Sequence, residues 1–306
     1  MVDYDLIIVG SGPAGMNACL YATRSKLKTL VIEKNYPGGK IVKTNKIENW
    51  LGTKEIEGPE LALQMFKHAY SYGGIYEQGN VLDINNLGDI KEVILENKKY
   101  TTYAVIICIG TSERKIGIPG EEKFYGRGVS YCAICDGALH KDKDMVVVGN
   151  STHAIEESIY LSRFASKVIL INEKRELNAS EEVINNIKNN ARIEIKNNCK
   201  MSSINGGRSV ESVTVKEDDK EYQINASIVF PLIGSSPDSM FTSRLKITDD
   251  KNYVIVNEKQ ETSIKGIYAA GDCTNNNLKQ IVTASSEGAV AALEVYKYIS
   301  KMKKEV

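Results

Sequence analysis

The chain has 306 residues, enough for one large or two ordinary domains. Hydrophobic residues make up 42% and charged residues 25%, and 39 basic side chains balance 39 acidic ones, so no global basic field points to nucleic acid or a membrane surface. The opening MVDYDLIIVG lacks a basic n-region, and its apolar run is too short for a signal peptide or a spanning helix, so a cytoplasmic protein is expected.

The first element is a strand, DLIIV, that runs into the turn VGSGPAG at residues 9–15 and then into a helix. Gly10 permits the tight turn, Gly12 lets the backbone approach a pyrophosphate, and Gly15 lets helix and strand pack closely. The next strand ends at Glu33, about 20 residues on, where an acid binds the ribose of a dinucleotide. The start of the helix then offers N–H groups and a partial positive charge to the phosphates.

Two turn-rich loops follow, PGGK at 37–40 and IENWLG at 47–52. Residues 77–110 read as short antiparallel strands leading into a buried one. After a Gly, Ser and Pro break comes YCAICDG at 131–137, and then DMVVVGNSTHAIEESIYLSRFASKVILINEK, which lies over residues 5–34 with one residue of slippage. A second antiparallel run occupies residues 208–234. A second break, the segment IYAAGDC and the apolar helix SSEGAVAALEVYKYI complete the chain. The expected fold is α/β, with two nested Rossmann-like dinucleotide-binding domains. Residues 1–114 and 238–306 form the outer, discontinuous one, and residues 115–237 are inserted into it.

Of six cysteines only Cys132 and Cys135 are close together. A zinc site would want a second such pair, so the CxxC reads as redox-active and no metal is expected. At a helix start this spacing closes a small disulfide ring and lowers one thiol's pKa. Cys19 and Cys108 read as packing residues, and His68 and His140 as ordinary helix or loop residues.

These motifs together resemble the low-molecular-weight thioredoxin reductases, FAD-containing flavoproteins of two nested dinucleotide-binding domains, over nearly the whole chain. The resemblance implies an FAD site. Its first part is Gly10, Ser11, Gly12, Pro13, Ala14 and Gly15 with Glu33 and Lys34. Gly39, Lys40, Asn49, Val81, Gly110 and Thr111 belong to it as well, and the closing motifs add Asp272, Lys279, Gln280, Ile281 and Val282. It further implies that Cys135 is the sulfur nearer the flavin, that Cys132 is its partner, that Asp136 serves in proton transfer to the dithiol, and that the protein is a homodimer reducing thioredoxin.

The second turn departs from the family. NADPH-dependent members carry Gly-Gly-Gly-Asp-Ser-Ala there, and this chain has Gly149, Asn150, Ser151, Thr152, His153 and Ala154. Arginines that hold the 2′-phosphate in those members are replaced by Glu173, Lys174 and Asn178. A carboxylate roughly 4 Å from a phosphate charge is repelled by about 4 kcal/mol at an effective dielectric of 20. Glu173 could instead accept the ribose hydroxyls of NADH. The pattern of intact FAD and CxxC motifs beside a lost nicotinamide motif is that of a subgroup using reduced ferredoxin. The potentials allow this: from about −400 mV to about −270 mV, two electrons release roughly 6 kcal/mol. The expectation is therefore a thioredoxin-disulfide reductase with ferredoxin as donor. The alternatives are an NAD(P)H-dependent thioredoxin reductase and an FAD-dependent dithiol oxidase using oxygen.

Overall fold

The computed structural model describes residues 2–44, 46–218, 220–237 and 240–304. The chain forms two compact units, Met1–Ser112 with Ser236–Val306, and Glu113–Ser235. The sequence breaks put the crossings two residues later at each point, and Asp238, where the outer domain was expected to resume, lies outside the described residues.

The first unit opens with β1 (Tyr4–Val9), α1 (Pro13–Arg24), β2 (Thr29–Glu33), α2 (Gly58–Tyr70) and β3 (Ile75–Gln78). It continues through β4 (Val81–Leu87), β5 (Ile90–Leu95) and β6 (Lys99–Ile107). β1 is buried from Leu6 to Val9 because both faces are covered: Leu6 and Ile8 face the α1 side, Ile7 and Val9 the opposite core. Strand order is β3-β2-β1-β6-β5-β4, parallel from β3 to β6 and antiparallel across β6, β5 and β4.

After β7 (Ser112–Glu113) the second unit runs through the single-turn helix α3 (Ala133–Asp136), β8 (Asp144–Val148), α4 (Thr152–Leu161), β9 (Lys167–Ile171), α5 (Glu181–Lys188) and β10 (Ile193–Lys196). It closes with β11 (Cys199–Asn205), β12 (Ser212–Glu217), β13 (Lys220–Asn225) and β14 (Ile228–Pro231). A parallel sheet β10-β9-β8-β14 carries helices on one face and the antiparallel β11-β12-β13 sheet on the other. The internal repeat holds to the atom: Gly10 N–H donates to Ile32 O at 2.7 Å, and Gly149 N–H to Ile171 O at 3.0 Å.

The chain returns through β15 (Ser235–Ser236), α6 (Met240–Arg244), β16 (Ile267–Ala269) and α7 (Ile281–Met302). β6 is long enough to serve two neighbours, pairing with β5 through Thr102 and with β16 from Val105 onward. α7 packs on α1 through alanines and Gly288. No described helix is long and apolar enough to cross a membrane.

A methyl group at Gly288 would stand 2.1 Å from the Ala14 carbonyl oxygen, so α1 and α7 touch backbone to backbone there. Gly288→Ala is expected to cost roughly 3 kcal/mol by forcing the helices apart. The check is a lowered urea midpoint at unchanged slope.

Candidate functional site

At the first turn the three glycines differ in what they make possible. A Cβ at Gly10 would lie 2.3 Å from Cys108 O, and one at Gly15 would lie 1.9 Å from Gly10 O, so these two allow the chain to fold on itself. A Cβ at Gly12 would meet nothing within 4 Å. Its missing side chain leaves open space before the helix start, as a close phosphate requires. Gly12 caps α1 without a side-chain bond, and Pro13 follows, so the first amides of the helix are left to an outside acceptor. Ala14 and Gly15 continue the helix, buried.

Other expected residues gather around this turn. Glu33 ends β2, accepts the Ser11 N–H through Oε2 at 2.8 Å and the Asn35 N–H through Oε1 at 2.9 Å, and stands beside the exposed Lys34. The Gly38 N–H donates to Ser11 O at 2.7 Å, and Gly39 packs on Gly12. Lys40 donates to Thr111 Oγ1 at 2.7 Å, next to Gly110, and reaches Asp272 Oδ2 at 3.4 Å. Asn49 donates to Gln280 Oε1 at 3.0 Å, Gln280 caps α7, and Ile281 and Val282 begin that helix. Lys279 donates to Thr274 O at 2.5 Å, and burial lowers its ammonium pKa. Val81 differs from the rest, because its side chain belongs to the core with Ile32 and Ile7. The donors, the open cradle at Gly12 and the acid at Glu33 fit a dinucleotide such as FAD.

Two residues here carry no local sequence signal. Tyr70 Oη sits 3.1 Å from Ser11 Oγ, 59 residues away, and Glu287 accepts the Gly271 N–H at 2.7 Å. Burial raises the Glu287 carboxyl pKa, against the Gly271 bond.

In the second unit Cys132 and Cys135 form a disulfide. Cys132 caps α3, and its Sγ accepts the Cys135 N–H at 3.2 Å. Because α3 is one turn long, that single amide, rather than a helix dipole, favours negative charge on Cys132. The buried Ser130 hydroxyl accepts the Cys132 N–H at 3.1 Å and reaches the Cys132 carbonyl oxygen at 3.4 Å. Ser130 thus holds the backbone of the first cysteine, which sequence reasoning did not foresee. Next to it Tyr131 donates to the buried Glu121 at 2.8 Å. Cys19, Cys108, Cys199 and Cys273 are buried free thiols; burial pushes Cys19 and Cys273 up to about 12, which keeps them protonated and inert.

At the second turn the helix start is capped by the chain's own serine. Gly149 keeps the fold of its counterpart, since a Cβ there would lie 2.6 Å from Leu232 O. Ser151 stands where Gly12 stands, and its Oγ accepts the Ala154 N–H at 3.4 Å, capping α4 from within. The Asn178 N–H donates to Asn150 O at 2.7 Å, drawing the loop after β9 onto the turn. His153 is exposed, 3.9 Å from Glu157 Oε1. Glu173, Lys174 and Arg175 are all exposed.

The pyridine nucleotide-disulphide oxidoreductase family matches residues 4–288. A thioredoxin reductase of Bacillus subtilis (strain 168) is 40% identical over 304 residues, covering 98% of this chain and 96% of that protein. The crystal structure of thioredoxin reductase from Streptococcus pyogenes MGAS5005 superposes with a TM-score of 0.94 at 38% identity, covering 97% of this chain and 98% of that one. A ferredoxin-flavin thioredoxin reductase from Clostridium acetobutylicum is more distant, with a TM-score of 0.54 at 30% identity over 97% of this chain and 98% of that one. The expected tie to the ferredoxin-dependent subgroup is the weaker of these likenesses. The residues that suggested it are confined to one turn and one strand end, too few to weigh in an identity taken over the whole chain.

Burial raises the Asp136 carboxyl pKa, against the Ser130 bond and the His140 charge. A raised folded pKa favours the neutral acid, so this stabilising contribution is complete below the ordinary carboxylate range and is lost as pH rises through the raised value. Asp136→Asn is therefore expected to melt with the wild type below about pH 4 and above it at about pH 8. Calorimetry at the two pH values checks this, and a constant difference would contradict it.

Proposed function

We propose, on the premise that this chain belongs to the low-molecular-weight thioredoxin reductase family, that it is an FAD-dependent thioredoxin-disulfide reductase working through Cys132 and Cys135. The CxxC disulfide on its one-turn helix, followed directly by the half-buried carboxyl of Asp136, is the observation that carries the reading. FAD would be held by the first turn, Glu33 and the Lys40, Asp272 and Gln280 cluster, and when bound it supplies the electron pair that opens the disulfide.

Opening the disulfide leaves two sulfurs with unequal support. Cys132 keeps the Cys135 N–H and is the thiolate that attacks the thioredoxin disulfide, forming a mixed disulfide. Cys135 then attacks Cys132, the Cys132–Cys135 bond re-forms, and both electrons leave on the thioredoxin dithiol. Asp136, whose pKa burial raises, gives its proton to a departing thiolate.

The reading includes reduced ferredoxin as donor. What supports it is the self-capped second turn, where Ser151 occupies both the space and the amide that a pyrophosphate would use, with Glu173 in place of a phosphate-binding arginine. A pyridine nucleotide is the second reading, and the comparisons favour it: the matching family is described by that cofactor, and the relatives named simply thioredoxin reductase are nearer than the ferredoxin-flavin enzyme. Anaerobic rapid mixing separates the two. Fast bleaching of the flavin by reduced ferredoxin and none by NADPH or NADH is expected; fast bleaching by either nucleotide with a slow ferredoxin reaction decides for the second. Rapid peroxide formation from a small dithiol, without thioredoxin turnover, would favour an oxidase instead.

The flavin site has its own check. Gly12→Val puts a side chain into open space at an ordinary φ of −81°, so the fold should survive while the flavin content of the purified protein falls several-fold. Absorbance at the flavin band against protein concentration measures it, and full flavin content would place the cofactor elsewhere.

A further inference from the structure

We infer that Tyr70 is a positioning residue for the cofactor turn: its hydroxyl fixes Ser11, and through Ser11 the amides at the start of α1 that would bind the phosphates of FAD. The inference rests on the FAD part of the proposed function and extends it to a residue 59 positions away from the turn.

Ser11 stands between Gly10 and Gly12, and Gly10 has a φ of +107°. Glycine neighbours restrict the backbone little, so the direction of the chain at Ser11 depends on the bonds that Ser11 itself makes. Ser11 is fully buried, and each of its polar groups is bound by a different segment. Its N–H donates to Glu33 Oε2 at the end of β2 at 2.8 Å, and its carbonyl oxygen accepts the Gly38 N–H at 2.7 Å. Its Oγ lies 3.1 Å from Tyr70 Oη at the end of α2, so the side chain is held as well as the backbone.

The holding group is itself rigid. The Tyr70 ring lies against Phe66, one turn earlier on α2, with ring centroids 4.5 Å apart, and meets Tyr76 of β3 edge-on at 6.0 Å. Phe66 and Tyr76 also meet edge-on, at 5.5 Å, which closes the cluster of three rings. Tyr70 packs in addition on the core at the α1 side of the sheet. Its hydroxyl is therefore a fixed point against which the turn is set.

The consequence lies one residue further on. The Ser11–Gly12 peptide leads directly into a helix start that has no side-chain cap, and Gly39 packs on Gly12 from outside. Loss of the Tyr70 hydroxyl leaves a buried Ser11 oxygen without its partner, in a turn whose glycines allow it to shift. A turn that shifts must be ordered again each time a phosphate binds, and that cost shows as faster loss of the ligand.

The test follows release of flavin from the diluted full-length holoenzyme by the rise in flavin fluorescence. Tyr70→Phe keeps the ring cluster and removes the hydroxyl, and release is expected to be about tenfold faster, the effect of one hydrogen bond between neutral groups. Ser11→Ala removes the other end and should speed release to a similar extent. The double variant should release no faster than either single one, because the pair acts as a unit. A hydroxyl with a merely structural role would lower the urea midpoint of Tyr70→Phe and leave release unchanged, which overturns the inference, as do single effects that multiply in the double variant. Should Tyr70→Phe fail to fold, Ser11→Ala decides alone: faster release supports the inference and an unchanged rate overturns it. A wild type that takes up no FAD fails the flavin reading and the inference with it, whereas a wild type that holds FAD beside an unaffected Tyr70→Phe fails the inference alone.

Discussion

A helix begins with amide N–H groups that find no partner inside it, and the acceptor that meets them determines what each of the two glycine turns can do. At α1 the chain provides nothing: Gly12 has no side chain, and the space before it is open. At α4 the Ser151 hydroxyl is already there, and the Asn178 amide closes the loop over Asn150. The same supersecondary unit, with the same glycine bond to the next strand, therefore presents one helix start with no side-chain cap and one capped by its own serine.

The dithiol shows the same economy of backbone groups. A CxxC at the start of a long helix would draw on a dipole, but α3 has a single turn, and it is the Cys135 amide that meets the Cys132 sulfur. The acid that follows the second cysteine is shifted upward by burial more than its neighbours draw it down. Burial of this kind favours the neutral form of a carboxyl group. Among the described residues no group of three or more His, Cys, Asp and Glu side chains is placed to hold a metal.

Much of this was legible in the sequence because it is local. Gly10, Gly12 and Gly15 follow a strand at fixed spacing, and the antiparallel runs alternate as hairpins do, so turn, helix and sheet could be read from a few neighbouring residues. What stayed hidden is non-local or one-sided. Tyr70 meets Ser11 across 59 residues, and His140 finds Ser227 across 87, with no pattern linking either pair. Val81 is buried in the core through its side chain, which the family likeness alone did not foretell. The length of α3 was also beyond reach, since nothing in CAICDG marks where the helix becomes a 3-10 turn.

The second turn can vary because of the way its unit is held together. Its two cores are built from β8, β9 and β14 with the helices on one side and the antiparallel sheet on the other, and none of Asn150, Ser151, Glu173 or Asn178 contributes to them. A serine that caps its own helix there adds about 1 kcal/mol of local stability. A serine in place of glycine there leaves the fold intact. Gly149 has no such freedom, because any side chain would collide with Leu232 O and Ala154, and it has stayed glycine. The unit must also persist for another reason, since it carries Cys132, Cys135 and Asp136. A domain whose cores lie away from the turn is one in which the turn can change while the dithiol does not.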